Sequence, residues 1–175
     1  MPDRDDVREL RAAPGRIQQE YAGDAERPLG GFVALMGVYS AGVGAIAALA
    51  RATRRPIPEP TPWDVLLCAG ATHRLSRLVA KDPVTSPLRA PFARFEGTTG
   101  PAELDEDVRG TGPRKAVGEL LTCPFCTGLW IATGLAAGLV FAPRATRLAA
   151  GALTSTALAD LLHFARVRAQ QAVGE

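Results

Sequence analysis

Two cysteines three positions apart, Cys123 and Cys126 in Cys-Pro-Phe-Cys, are the residues of this chain best suited to chemistry. Such a pair can cycle between dithiol and disulfide, and a helix start at the proline raises thiol reactivity. The same pair supplies two soft ligands for a tetrahedral zinc, which normally needs four. His73 and His163 are the only histidines available to complete such a set; two chains pooling their pairs is the other route. A structural role, small polarizable side chains packing beside a proline kink, is the third reading. Cys68 is the one remaining cysteine and reads as packing. Three cysteines cannot build a secreted disulfide framework.

The letters Cys-Pro-Phe-Cys also occur in glutaredoxins, but that fold needs a strand before the first cysteine and a βαβ pattern around it. Here a long apolar segment follows instead. Quinone-linked disulfide-forming membrane enzymes are a better match in size, yet they relay electrons to a second cysteine pair, which this chain lacks. No Gly-rich phosphate loop, nucleophile elbow or H-E-x-x-H is present, so enzymatic activity is not the expectation.

The element that must position the thiols runs from about 118 to 142. From Leu120 to Ala142 there are twenty-three residues without a charge. At ~1.5 Å per residue that is roughly 34 Å of helix, enough to cross a bilayer core of about 30 Å. Glu119, Cys123, Cys126 and Trp130 recur at helical spacing and are expected on one face. Deeper in, Gly134 and Gly138 form a small-x-x-x-small pattern that lets membrane helices approach closely.

Three further segments are expected to cross. Leu29 to Ala50 is twenty-two residues without charge, bracketed by Arg27 and Arg51. Its apolar run is too long for a signal peptide and its leader too acidic, so an uncleaved anchor is favoured. Gly37, Ser40, Ala41, Gly42 and Gly44 give it a small-residue face. A stiff proline-rich linker, Arg51 to Pro62, leads to Trp63 and to Asp64, a candidate helix cap. The second span, about 63–81, is interrupted by His73, Arg74 and Arg77; the last, about 145–165, carries Asp160 and His163. The polar loop 82–115 is expected to hold an interfacial helix over about 86–95, with Leu88, Phe92 and Phe95 on one side and Arg89 elsewhere. Gly97 to Gly112 reads as an exposed acidic loop.

Residues 1–28 hold five arginines and seven acids with few aliphatics, and are expected to form a mobile tail; residues 169–175 form a short C-terminal one. A net charge of only +2 implies no polyanion partner, and no nucleic-acid partner is expected. With four crossings, both tails and the central loop share a side holding 13 Lys and Arg, against five opposite. The positive-inside rule makes that side cytoplasmic. If 63–81 did not cross, the bias would run the wrong way.

Arg74 would then lie roughly 10 Å inside the cytoplasmic end of its span, Asp160 roughly 9 Å and Glu119 roughly 6 Å. An intramembrane charge cluster of Arg74, Arg77, Glu119, Asp160 and His163 is the expectation, with Arg74 pairing Glu119, Asp160 or both.

Arg74-Leu75, Leu78 and Asp82, followed by Thr-Ser-Pro-Leu-Arg-Ala-Pro-Phe over 85–92, form the first half of a recognisable pattern. Glu119 to Trp130, Glu-Leu-Leu-Thr-Cys-Pro-Phe-Cys-Thr-Gly-Leu-Trp, is the second. Together they resemble domain-of-unknown-function family 1360, small bacterial integral membrane proteins, over roughly 62–165. The resemblance implies a multi-pass protein of the bacterial cytoplasmic membrane and brings no enzymatic activity with it. The expected whole is an all-α, polytopic membrane protein of four transmembrane helices, serving as a non-catalytic structural or interaction component of the envelope. Its partners would be the lipid bilayer and a second copy, or another envelope protein, at the small-residue faces. No cofactor is expected. The alternative is a thiol-redox or metal-binding protein using Cys123 and Cys126, with zinc as the candidate metal.

Overall fold

The computed structural model of the chain describes residues 16–23, 25–100 and 103–174. Of the tail expected over 1–28, residues 1–15 lie outside the described residues, and residues 16–22 are helical (α1). The charge-free run forms Leu29–Ala52 (α2). It ends where Arg54 turns left-handed (φ 51°) and the Arg55 N–H reaches back to Ala50 O at 2.9 Å, which satisfies a terminal carbonyl.

Pro62–Ala80 (α3) starts at a capping box. Thr61 is the cap and Asp64, expected in that role, sits three residues on. The Asp64 N–H donates to Thr61 Oγ1 at 3.1 Å, and the Thr61 N–H donates back to Asp64 Oδ2 at 3.1 Å. A 3-10 turn, Pro83–Thr85, and a single helical turn, Ser86–Arg89 (α4), follow. Beyond them lie Gly112–Thr122 (α5), Pro124–Phe141 (α6) and Pro143–Val173 (α7).

The architecture is mostly helical, but all-α is corrected by an antiparallel hairpin, Ala93–Gly100 (β1) with Glu103–Val108 (β2). Ala93 pairs with Val108 and Phe95 with Glu106, with irregularities after Phe95 and Thr98. The expected interfacial helix over 86–95 stops at Arg89, and 97–112 is largely strand rather than loop. Pro91 contributes to the stop by having no N–H to donate to the turn behind it, although Ala90 itself keeps helical backbone (φ −50°, ψ −35°).

The long third helix is also corrected. Cys123 is extended (φ −104°, ψ 108°), which divides it into α5 and α6, with Pro124 opening α6. A residue before proline is biased to this conformation, and proline suits the first helical position. The last helix continues past the expected 165 and carries most of the supposed C-terminal tail.

Among the described residues three helices, α2, α6 and α7, are long and apolar enough to cross a membrane. Helix α3 is not among them, because Asp64, Arg74 and Arg77 lower its apolar character. It nevertheless packs between α6 and α7, while α2 packs chiefly on α5. The buried apolar residues are alanines: Ala50, Ala71, Ala80, Ala93, Ala116 and Ala150. Larger side chains such as Val33 and Leu148 point outward, the pattern of helices that pack through small residues. A Cβ on Gly70 of α3 would come within 2.6 Å of the Thr154 side chain on α7, so only glycine admits this approach. At the same contact Thr154 Oγ1 donates to Leu67 O at 2.8 Å.

Candidate functional site

The break at Cys123 places its side chain at the start of α6, where its sulfur accepts the Cys126 N–H at 3.2 Å. The two Sγ atoms stand 2.6 Å apart and both thiols are free. Thr127 is buried behind them and donates to Cys123 O at 3.0 Å, so a side chain as well as the backbone holds the turn. Phe125, between the cysteines, is 92% exposed.

Although Glu119 and Trp130 now belong to different helices, both still face the thiols. Glu119, Cys123, Cys126 and Trp130 line one cavity of about 710 Å³ between α2, α5 and α6. Its walls include Phe32, Leu35, Met36 and Leu129, and Arg27 stands at its mouth, 3.5 Å from Glu119. Tyr39 and Trp130 meet edge to face at 5.2 Å, and Tyr39 Oη shares a 2.8 Å hydrogen bond with Thr133 Oγ1. That contact ties α2 to α6 across the apolar layer.

The expected charge cluster is divided. Arg74 Nε lies 3.6 Å from Asp160 Oδ2, and Arg77 pairs with Glu103 of β2. With His163 and Lys81 these residues border a second cavity of about 270 Å³. Glu119 is not among them, since it faces Arg27 on the other side of the bundle. Among the described residues, no three His, Cys, Asp or Glu side chains gather closely enough to hold a metal. Zinc at Cys123 and Cys126 would therefore need ligands from beyond that set.

Of the residues assigned to an interfacial helix, Leu88 and Phe95 are exposed and Phe92 is half-buried, but Phe95 lies in a strand. Arg89, expected at the surface, is the largest fully buried side chain. Its Nε donates to Glu106 Oε2 at 2.5 Å, and its terminal nitrogens donate to Val79 O at 2.6 Å, Thr85 Oγ1 at 2.8 Å and Asp82 O at 3.1 Å. One guanidinium thus joins the end of α3, the 3-10 turn and the hairpin, using the fork of donors that only arginine has. Of the packing glycines, Gly138 lies against Thr146 of α7, whereas Gly134 faces open space.

A second pair also escaped the sequence reading. Arg147 of α7 grips Asp64 with two hydrogen bonds, Nε to Oδ1 at 2.7 Å and a terminal nitrogen to Oδ2 at 3.1 Å. Eighty-three residues separate the partners, so no local pattern could have joined them. The Thr61-x-x-Asp64 capping box was readable, and it already placed a carboxylate at this end of α3.

The profile of the family described as "Protein of unknown function (DUF1360)" matches residues 66–166. A curated relative, "Sporulation protein YjcA" of Bacillus subtilis (strain 168), is 38% identical over 71 residues, 39% of this chain. The chain covers 60% of that relative's length. No solved structure matches.

Proposed function

The chain belongs to the DUF1360 family, and on that footing we propose that it is a four-crossing protein of the bacterial cytoplasmic membrane. Both termini and the hairpin lie in the cytoplasm, and the protein acts as a structural or interaction component of the envelope. One observation carries the fourth crossing. Each ionised residue of α3 has a partner of opposite charge on another element: Asp64 with Arg147, Arg74 with Asp160, Arg77 with Glu103. Charge inside a membrane is costly when alone and tolerable when paired, so α3 can cross although its composition is not that of a span. From Asp64 to Lys81 the helix rises roughly 26 Å, close to the apolar thickness it must bridge.

The interaction role rests on α2. Gly30, Ala34, Gly37, Ala41, Gly44 and Ala48 recur along one exposed face, and nothing stands within 4 Å of a Cβ placed on any of its three glycines. Such a face suits close backbone packing against another membrane helix. The relative's role in sporulation, as its name gives it, is compatible with an envelope component. Oxidative crosslinking in native membranes tests the role, using Ala41→Cys in a chain whose own cysteines are serine. A crosslinked dimer, or a crosslink to another membrane protein, is expected. Monomer alone, with the control position Val43→Cys on the opposite side of the helix behaving identically, would count against an α2 interface.

A further inference from the structure

We infer that the cavity between α2, α5 and α6 is a binding site for a lipid-soluble quinone, and that Cys123 and Cys126 are its two-electron donors. The inference goes beyond the envelope role and does not depend on whether α3 crosses, because it needs only α2 and α6 in lipid. Four features point to one ligand class. The cavity is about 710 Å³, within the size range of small-molecule sites, and largely apolar-walled. It lies between two helices apolar enough to span a membrane, so a ligand can enter sideways from the lipid. An aromatic pair, Tyr39 and Trp130, offers a surface for a flat ring, and Arg27 at the mouth offers donors to a ring carbonyl. Both free thiols line the same space, 2.6 Å apart. A fatty acyl chain would fill such a groove equally well, but it would leave the vicinal dithiol without a role.

The reaction balances within the pair and the ligand. Two S–H bonds break and one S–S bond forms between Cys123 and Cys126. The two electrons and two protons released pass to the quinone, whose two carbonyl oxygens become the hydroxyls of the quinol. Cys68 lies outside the cavity lining and takes no part. Residues three apart at a helix start are close enough for such a bond to form without rearranging α6.

The test uses the full chain, reduced and reconstituted in nanodiscs without oxygen, with decylubiquinone as the probe. Its fully substituted ring disfavours stable thiol adducts. Two thiols per chain should disappear, counted by mass-tagged maleimide, with one quinol formed and Cys68 still free. Ser40→Phe, which adds bulk inside the cavity, should slow oxidation by decylubiquinone about tenfold or more, equivalent to about 1.4 kcal/mol or more in the barrier. Oxidation by water-soluble diamide should be unchanged. Trp130→Ala should show the same selective loss, so the test does not hang on one variant. Oxidation by diamide but not by decylubiquinone would overturn the quinone site, with a lipid acyl chain then the occupant. Failure of both oxidants would overturn the redox pair itself. Equal slowing of the two oxidants, or of neither, in both cavity variants would overturn the assignment of this cavity.

Discussion

Where α3 packs on α7, Gly70 lies against Thr154, and the buried apolar residues of the two helices are alanines such as Ala71 and Ala150. Under the hairpin the largest buried side chain is a charged arginine. In the membrane placement proposed above, the apolar region gains stability from close backbone approach, since lipid competes for every larger apolar side chain. The polar cap gains it from a guanidinium whose donors reach two carbonyls, a hydroxyl and a carboxylate. Losing a small side chain in the first region removes a few weak contacts. Losing Arg89 leaves Glu106 and two carbonyls behind. The two regions should therefore respond very differently to substitution.

The sharpest contrast is Arg89→Met. With Glu106 left buried and unpaired, a loss of about 3–5 kcal/mol is expected in reversible unfolding by SDS in mixed micelles. Adding Glu106→Gln should recover part of it, because removing both partners is milder than removing one. A loss no greater than that of an apolar-face change such as Ala150→Gly would erase the distinction between the regions.

At the opposite end of α3, Asp64→Ala removes a buried partner of Arg147 and half of the capping box. The expected loss is smaller than that of Arg89→Met, and Asp64→Asn, which can still cap, should lose less again. Thermal unfolding of the three variants in one detergent reads the order, and an equal effect of Asp64→Asn and Asp64→Ala would remove the cap from the explanation.

Smaller still is Arg74→Ala, since its pair with Asp160 lies toward the cytoplasmic end of α3 and α7, within reach of the headgroups. About 1–3 kcal/mol is expected, because a carboxylate left alone in a span costs more than one in water. Combined with Asp160→Asn the loss should be less than additive. Combined with Glu119→Gln it should be additive, because Glu119 belongs to Arg27. The reverse pattern in a double-mutant cycle would return Glu119 to the Arg74 layer.

The least effect is expected from Cys123→Ser with Cys126→Ser. Serine accepts the α6 capping hydrogen bond at least as well as cysteine, so insertion and unfolding should change by no more than about 0.5 kcal/mol. Loss of the folded protein together with a stoichiometric bound zinc would turn the thiols into structural ligands.

These responses follow the line between what was readable in the residues and what was not. The apolar runs of α2, α6 and α7 are local and long, so composition alone identifies them. The break at Cys123 was signalled by Pro124, but the uncharged run around it masked the signal. The hairpin was hidden by its own charge. In β2 the half-buried positions Leu104, Glu106 and Val108 alternate with exposed Asp105 and Asp107, so the period of two was present but not hydrophobic. Phe92 and Phe95, three apart, imitated a helix face. Arg89 looked like any surface arginine, because its burial depends on a carboxylate seventeen residues on and carbonyls of two other elements. At the thiols, spacing put Glu119, Cys123, Cys126 and Trp130 on one helix face; the break at Cys123 divides that face, and the four line a cavity instead.

The crossing of α3 decides whether the hairpin, with its buried arginine, and the linker before Thr61 lie on opposite sides of the membrane. Single cysteines at Glu59 and Thr99, each in a chain with Cys68, Cys123 and Cys126 replaced by serine, measure this directly with a membrane-impermeant maleimide on intact cells. Both positions are exposed in the structure. The account predicts labelling at 59 and none at 99 until the cells are permeabilised. Labelling at both, or at 99 alone, would contradict it.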